Sequence, residues 1–507
     1  MEKNKYFTEQ EFQIASQCKK ALYLHHAHPD IATPSKGISD IYSSKVMKKW
    51  KDKVKNEFNK RFSDGIQIME TSENYPDIDI ASANIRTKEM IKEGVKIIKG
   101  ALFCNSSFLS TIDVLAQKNN QLDVHLSTAL ASHVSDTFLL ETAYKCYIME
   151  KSGYKFERCF LSHIDNTYVK DGPINSNLLF CSVDFTKEVR EKYNLVQSIL
   201  KASHRVLNLH KIPNVHIGPY CKVPNTCSFY NYCTKHIPDD SIFLIPRLRS
   251  TDKWRYYEDG NLHMKDVVYQ QNNKAVTHYS SRQNKFIKSM IENKEIIHLG
   301  KIKEFCKDIL KNANVYLLDV EAHSTPIPFE DGLRPYQQNM LSYTVIKEKQ
   351  NTLEFFQQIN NSSLSVFIKS LIEDFSEPGP ILGYNIAFLR GRLRECIKRV
   401  PENEIQIEGI INRMVDIMIP FKEGWYISPK MKGSYSYTKV LEAEAFYNSP
   451  YKKRFTIEIG EDIADAIFEQ KDDEYFKGYL QLSRKDTLDR WKVWTGLKDI
   501  CCRKEAN

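Results

Sequence analysis

A chain of 507 residues is too long for one simple core, so two or three domains are expected. Hydrophobic residues make up 42% and charged residues 27%, which argues against a disordered chain. The formal charge of +8 permits a nucleic-acid partner without demonstrating one. No uninterrupted apolar stretch approaches a membrane span, and the polar start Met1-Glu2-Lys3 leads into no signal-like apolar core. A cytoplasmic protein with no membrane partner is therefore expected.

In chain order, 11–24 and 45–62 read as helices, and 95–103, 108–116 and 121–126 as short strands separated by polar breaks. A helix over 135–151 and a strand over 156–164 follow, a mixed α/β pattern. Around Trp254, Tyr256, Tyr257 and Gly260 the sequence suggests a small strand-and-turn insert, and lysine-rich helices come next. Val315-Tyr316-Leu317-Leu318-Asp319 begins a second domain as a buried strand ending in a carboxylate. The expected division is 1–240, a linker or insert over 241–311, and 312–507.

Of the 12 cysteines, most are scattered and read as small buried hydrophobes. Cys221, Cys227 and Cys233 differ, because equal spacings of six on a turn let several thiolates converge on one centre. Zinc sites usually carry a tighter pair, and three ligands leave one missing. Cys18, in Gln17-Cys18-Lys19-Lys20-Ala21-Leu22-Tyr23-Leu24, is the candidate fourth. This pattern resembles the iron–sulfur nucleases of the RecB-like, CRISPR-adaptation type. The resemblance implies a [4Fe–4S] cluster on Cys18, Cys221, Cys227 and Cys233 that staples the domain's ends together. A zinc knot or four free thiols are the alternatives.

RecB-like nucleases of the PD-(D/E)XK superfamily use an Asp and then an acidic-x-Lys tripeptide on the next strand. The acids hold a divalent metal and the lysine serves the attacking water. Asp113 takes the first position and Asp123 the second, so both are candidate metal ligands. His125 stands where the lysine belongs, and histidine is not a permanent cation near neutral pH. Lys145, on the following helix where the family usually has glutamine, can reach the same site. Glu57 falls one residue out of register with the upstream acidic motif. The plain alternative is two strand-end carboxylates with no metal.

Asp319 and Glu321 are separated by one residue on a strand and therefore share a face. This pair resembles the first motif of DEDD exonucleases on a ribonuclease-H-like fold, which use two divalent ions, Mg2+ or Mn2+. The segments Arg334-Pro335-Tyr336-Gln337, Gly383-Tyr384-Asn385-Ile386-Ala387-Phe388, Arg413-Met414-Val415-Asp416 and Gly433-Ser434-Tyr435-Ser436 add detail. Together they resemble the bacterial family called domain of unknown function 2779, which joins an iron–sulfur RecB-like half to this half. Carried over residue by residue, Asp319, Glu321 and Asp486 match the metal-binding acids, and Asp416 is a spare carboxylate near the site. The acid expected after Phe388 is Leu389, and a tyrosine often found four before the last Asp is Leu482. Capping or surface roles are the alternatives for Asp416 and Asp486. Arg334, Tyr336 and Lys439 are candidates for holding phosphates or stacking bases, with internal ion pairs and packing as the alternative. The run Lys45–Lys51 is a candidate DNA-groove lining or simply a solvated helix face.

The expected fold class is thus α/β: a PD-(D/E)XK core with an iron–sulfur staple, then a ribonuclease-H-like, DEDD-type domain. The expected function is metal-dependent cleavage of DNA, at single strands or ends. A non-catalytic relative that binds nucleic acid or a protein partner in a repair or phage-defence assembly is the alternative. An iron–sulfur redox protein is disfavoured, because no flavin or electron-partner motif is present.

Overall fold

Hydrophobic runs with residues buried on both sides make Phe108–Lys118 and Asn314–His323 the central strands of two separate sheets. The computed structural model describes residues 6–33, 38–68, 79–128, 133–271, 279–350, 352–360, 363–443, 446 and 473–502, with backbone alone at 38–48, 268–271, 473–479 and 482. The chain forms two units, 1–235 with 325–337, and 236–324 with 338–507. Both are mixed α/β. Among the described residues no helix is long and apolar enough to cross a membrane.

The first unit holds a six-stranded sheet in sequential order: β1 (Ile66–Gln67), β2 (Ile97–Asn105), β3 (Phe108–Lys118), β4 (Gln121–Ser127), β5 (Arg158–Ile164) and β6 (Phe180–Asp184). Strands β2, β3 and β4 form antiparallel hairpins. Asn119 and Asn120 carry positive φ in the two-residue turn between β3 and β4, which suits the twist of a tight hairpin. Strands β4 and β5 run parallel, so a crossover is needed, and the helix Asp136–Lys151 supplies it. Ser135 caps that helix by accepting from the Phe138 amide.

The single helix expected over 11–24 is two, α1 (Glu9–Gln17) and α2 (Lys19–Ala27). A Thr8–Glu11 capping box starts α1 early. Cys18 breaks the line in an extended conformation, φ −160° and ψ 123°.

Two clusters cover the sheet. Phe12, Leu22, Leu115, Val124, Tyr144 and Leu161 form one. Trp50, Val54 and Phe58 of the helix Ile38–Asn59 join Val114, Ile164, Phe180 and Ile327 in the other. The segment 325–337 is tied in by backbone bonds from Lys170 to Leu333 and from Gly332 to Lys170.

In the second unit, β8 (Asn314–His323), β9 (Asn339–Lys349) and β10 (Thr352–Ile359) are antiparallel neighbours. Strands β11 (Ile381–Gly383) and β12 (Met414–Asp416) extend the other edge in parallel, giving the order β10-β9-β8-β11-β12. Tyr316, Leu318 and Val320 pack with residues of the helices Leu364–Asp374, Ile386–Arg399 and Glu404–Asn412. Val315 and Leu317 pack with Trp491, Trp494 and Leu497 of the helix Asp473–Cys502. Alternation along β8 therefore serves both layers.

Residues 241–311 belong to this unit and are mostly helical; β7 (Ile296–Ile297) pairs with β13 (Tyr426–Ile427). The expected strand around Trp254 is instead the helix Ser250–Glu258. Trp254 and Tyr257, three residues apart, share a helix face, pack edge-on with each other, and meet Phe243, Trp254 edge-on and Tyr257 tilted.

Gly433 has φ +74°, and a Cβ there would lie 2.0 Å from the Leu244 carbonyl oxygen. Gly260 has a similar φ of +77° but open space around it. Gly260→Ala should cost about 1 kcal/mol through φ alone. Gly433→Ala should cost roughly 1–3 kcal/mol more, measured by urea unfolding. Equal costs would show that the Leu244 contact imposes no constraint.

Candidate metal centre

Asp319 and Glu321 continue the β8 alternation that places Val315 and Leu317 against the last helix. Along that helix Ser483, Thr487, Arg490, Trp494 and Leu497 recur at helical spacing, and Asp486 stands one turn before Arg490. The two patterns meet. Asp319, Glu321 and Asp486 each offer a carboxylate oxygen, all within 4.8 Å of one another. Among the described residues this is the one group of three or more Asp, Glu, His or Cys side chains gathered so closely.

Each acid is held differently. Arg490 Nη1 donates to Asp319 and, at 2.5 Å, to Asp486. Thr487 Oγ1 donates to Asp319 Oδ2 at 3.2 Å, and the Tyr437 hydroxyl donates to Asp486 Oδ1 at 2.5 Å. The Arg490 guanidinium lies 4.6 Å from the Tyr437 ring centroid, a cation–π contact. No hydrogen bond or ion pair joins Glu321 to another described side chain.

Burial pushes the Asp319 carboxyl upward; Arg490 opposes this and the Asp486 charge adds to it. Burial, then the Asp319 charge, pushes Glu321 up to about 8. Even with Arg490 present, the corner lacks positive charge. Hard carboxylate oxygens in that state suit Mg2+ or Mn2+.

Asp416 lies outside the group. Its Oδ1 accepts from the amides of Asn385 at 3.0 Å and Met418 at 3.0 Å, fixing the start of the helix Ile386–Arg399 beside β12. Leu389 is 3% exposed in the core. The side chain of Leu482 falls outside the described residues, as do those of Lys45–Lys48. Lys439 pairs with Glu442 at 3.0 Å.

In the first unit the predicted residues are satisfied separately. Asp113 pairs with Lys55 at 3.1 Å and accepts from the Ser127 amide at 2.9 Å. Burial opposes its charge, but Lys55 and then Lys145 hold its carboxyl below the usual range. Asp123 turns to Arg158 at 2.6 Å. His125 stacks on Phe160, and burial pushes it down to about 4, so it is neutral at pH 7. Lys145 pairs with Glu9 at 3.3 Å and lies 3.8 Å from Glu141; against the effect of burial, these acids and Asp113 hold it charged. Glu9 also accepts from the amide and hydroxyl of Thr111. Glu57 binds Lys60 and Ser176. Tyr336 packs against the Trp50 cluster with its hydroxyl buried, and Arg334 is exposed.

Cys18 lies beside the turn that carries Cys221, Cys227 and Cys233. Gln17 Nε2 donates to the carbonyls of Tyr220, Val223 and Asn225, tying the end of α1 to the cysteine turn. Cys18 and Cys227 pack on the same cluster around Leu24 and Phe229. Burial, then the neighbouring Cys18, Cys221 and Cys233, pushes Cys227 up to about 11. The Gly218 amide lies 3.5 Å from Cys221 Sγ.

Residues 316–436 match the family model described as Domain of unknown function (DUF2779). The match includes Asp319, Glu321 and Asp416 and ends before Tyr437, Asp486 and Arg490. No curated protein and no solved structure matches the chain.

Reading the sequence for acids alone passed over Arg490 and Tyr437. The available signal was the i,i+4 pair Asp486–Arg490, a spacing that places the two side chains together on a helix.

Two outcomes follow. Glu321 shifts from the usual 4.5 to about 8, so between those values the folded chain holds more protons than the unfolded one. Stability of the metal-free protein should therefore fall as pH rises through this window. Mg2+ should raise the unfolding temperature more at about pH 8 than at about pH 5.5. An equal rise at both would remove Glu321 from the site. Separately, Lys145→Met should cost about 3–5 kcal/mol in urea unfolding by stranding buried acids. Lost activity with unchanged stability would instead make Lys145 a reacting group.

Proposed function

We propose that the chain is a metal-dependent nuclease acting on DNA, at single strands or ends, with its cutting centre on β8 and the last helix of the second unit. The convergence of Asp319, Glu321 and Asp486 carries this reading. The match over 316–436 supports it, as does the sheet order, three antiparallel strands flanked by two parallel ones, which is that expected of a ribonuclease-H-like fold. Asp319, Glu321 and Asp486 would hold Mg2+ or Mn2+. When bound, such an ion lowers the pKa of a water and neutralises charge growing on the phosphate oxygens. The protein's own groups keep the acids in place: Thr487 holds Asp319, Tyr437 holds Asp486, and the buried strand fixes Glu321.

In the first unit, whose mixed sheet we read as a RecB-like core, Cys18, Cys221, Cys227 and Cys233 would hold a [4Fe–4S] cluster as a staple. A single zinc with bonds of about 2.3 Å draws its sulfurs to about 4 Å from one another. Among the described residues these sulfurs form no group that tight; burial, then neighbouring thiols, pushes Cys221, Cys227 and Cys233 up, which fits thiols set around a larger inorganic centre.

A second reading, a silent relative that binds nucleic acid or a protein partner, is favoured by Arg490 lying on two of the three acids and by Leu389 in place of an acid.

End-labelled single-stranded DNA incubated with Mn2+ distinguishes the two readings. Cleavage should appear and fall at least about a hundredfold in Asp319→Ala. Cleavage lost in Asp113→Ala but kept in Asp319→Ala would move the chemistry to the first unit. Salt-sensitive binding without cleavage would establish the second reading. The purified protein should be brown, with absorbance near ~400 nm that Cys18→Ser abolishes. A colourless protein containing zinc would remove the cluster.

A further inference from the structure

We infer that Arg490 is the permanent cation of the carboxylate centre, so that the site takes one divalent ion rather than two; this rests on the nuclease reading above.

The site is short of acids. A two-ion centre needs enough carboxylates to share between the ions. Three acids converge here. The position that should bring another, after Asn385 and Phe388, is Leu389, buried in the core. Asp416 cannot substitute, because one of its oxygens is taken by the Asn385 and Met418 amides and it stands outside the group.

An arginine stands there instead. One nitrogen of Arg490 touches both Asp319 and Asp486, so a fixed cation already sits between two of the three acids. The guanidinium is fixed from three directions: by its own helix one turn from Asp486, by the two carboxylates, and by the Tyr437 ring. Its side chain is 17% exposed, so the charge is largely withdrawn from water. A guanidinium stays protonated at any working pH and cannot dissociate as an ion does.

Charge gives the same count. With Glu321 deprotonated, as it would be when it ligates an ion, three carboxylates and one guanidinium leave two negative charges, the complement of a single divalent ion. A second ion would leave the buried corner with excess positive charge, at a high cost in a low dielectric. Glu321, without a partner among the described side chains, is the acid left open to that one ion. Arg490 is thus a positioning residue that sets the metal count and presents a fixed positive charge beside the ion.

The test is a manganese titration of the whole 507-residue chain as purified, with free Mn2+ read by electron paramagnetic resonance. Asp319→Asn defines the ions that belong to this centre. The wild type should bind one Asp319-dependent Mn2+ with an uncoupled spectrum. Arg490→Gln should bind two, and Arg490→Lys should again bind one. Circular dichroism checks that each variant is folded, and should Arg490→Gln fail to fold, the wild-type count alone decides. Two ions in the wild type, or one in folded Arg490→Gln, would overturn the inference and leave the nuclease reading intact. No ion in the wild type with binding restored in Arg490→Gln would make Arg490 a plug, overturning the inference and favouring the silent relative. No Asp319-dependent ion in any variant would overturn the metal reading itself.

Discussion

Clustered acids in a buried corner demand positive charge, and both units are organised around that demand. Like-charged carboxylates repel, burial removes the water that would screen them, and the free energy rises until a cation joins them. The first unit meets the demand internally: Lys55 neutralises Asp113, and Lys145 neutralises Glu9 and reaches Glu141. The second unit meets it in part. Arg490 joins Asp319 and Asp486, while Glu321 stays far from its ordinary pKa. The difference separates acids neutralised within the protein from a group of acids left only partly neutralised.

Much of the second site was legible in the sequence because strand periodicity is strict. Asp319 and Glu321, one residue apart after an apolar run, have to share a face, and they do. Asp486 was legible only through a resemblance, since a lone aspartate on a polar helix carries no local signal. Arg490 was missed for the same reason: an arginine four residues after an aspartate reads as an ordinary solvated pair until the helix is known to lie on the strand end. Asp416 shows the converse. It was expected as a spare carboxylate near the site, but one of its oxygens accepts from two backbone amides at a turn and it stands outside the acidic group.

The first unit shows where one-dimensional spacing stops short. The strands and the helix over 136–151 fall close to where hydrophobic periodicity puts them. Side-chain partners depend on register and on distant helices. Asp123 faces Arg158 because β4 and β5 run in parallel with those two residues paired, and no pattern within β4 reveals this. Lys145 is claimed by Glu9, far upstream in sequence. The Cys18 break was likewise invisible, because the residues around it have good helical propensity. The departure from helix gives that cysteine a place beside the turn that Gln17 grips.

The first unit is not contiguous in the chain, because Ile327 and its neighbours complete the Trp50 cluster only after β8 has been made. A ribosome delivers residues in order, so the earlier sheet emerges with part of one hydrophobic cluster still missing. That apolar surface stays open to solvent, and to misassembly, while a further stretch of polypeptide is synthesised. Translation rate across 236–337 therefore bears on the yield of correctly folded protein in a way that neither unit's own stability reveals.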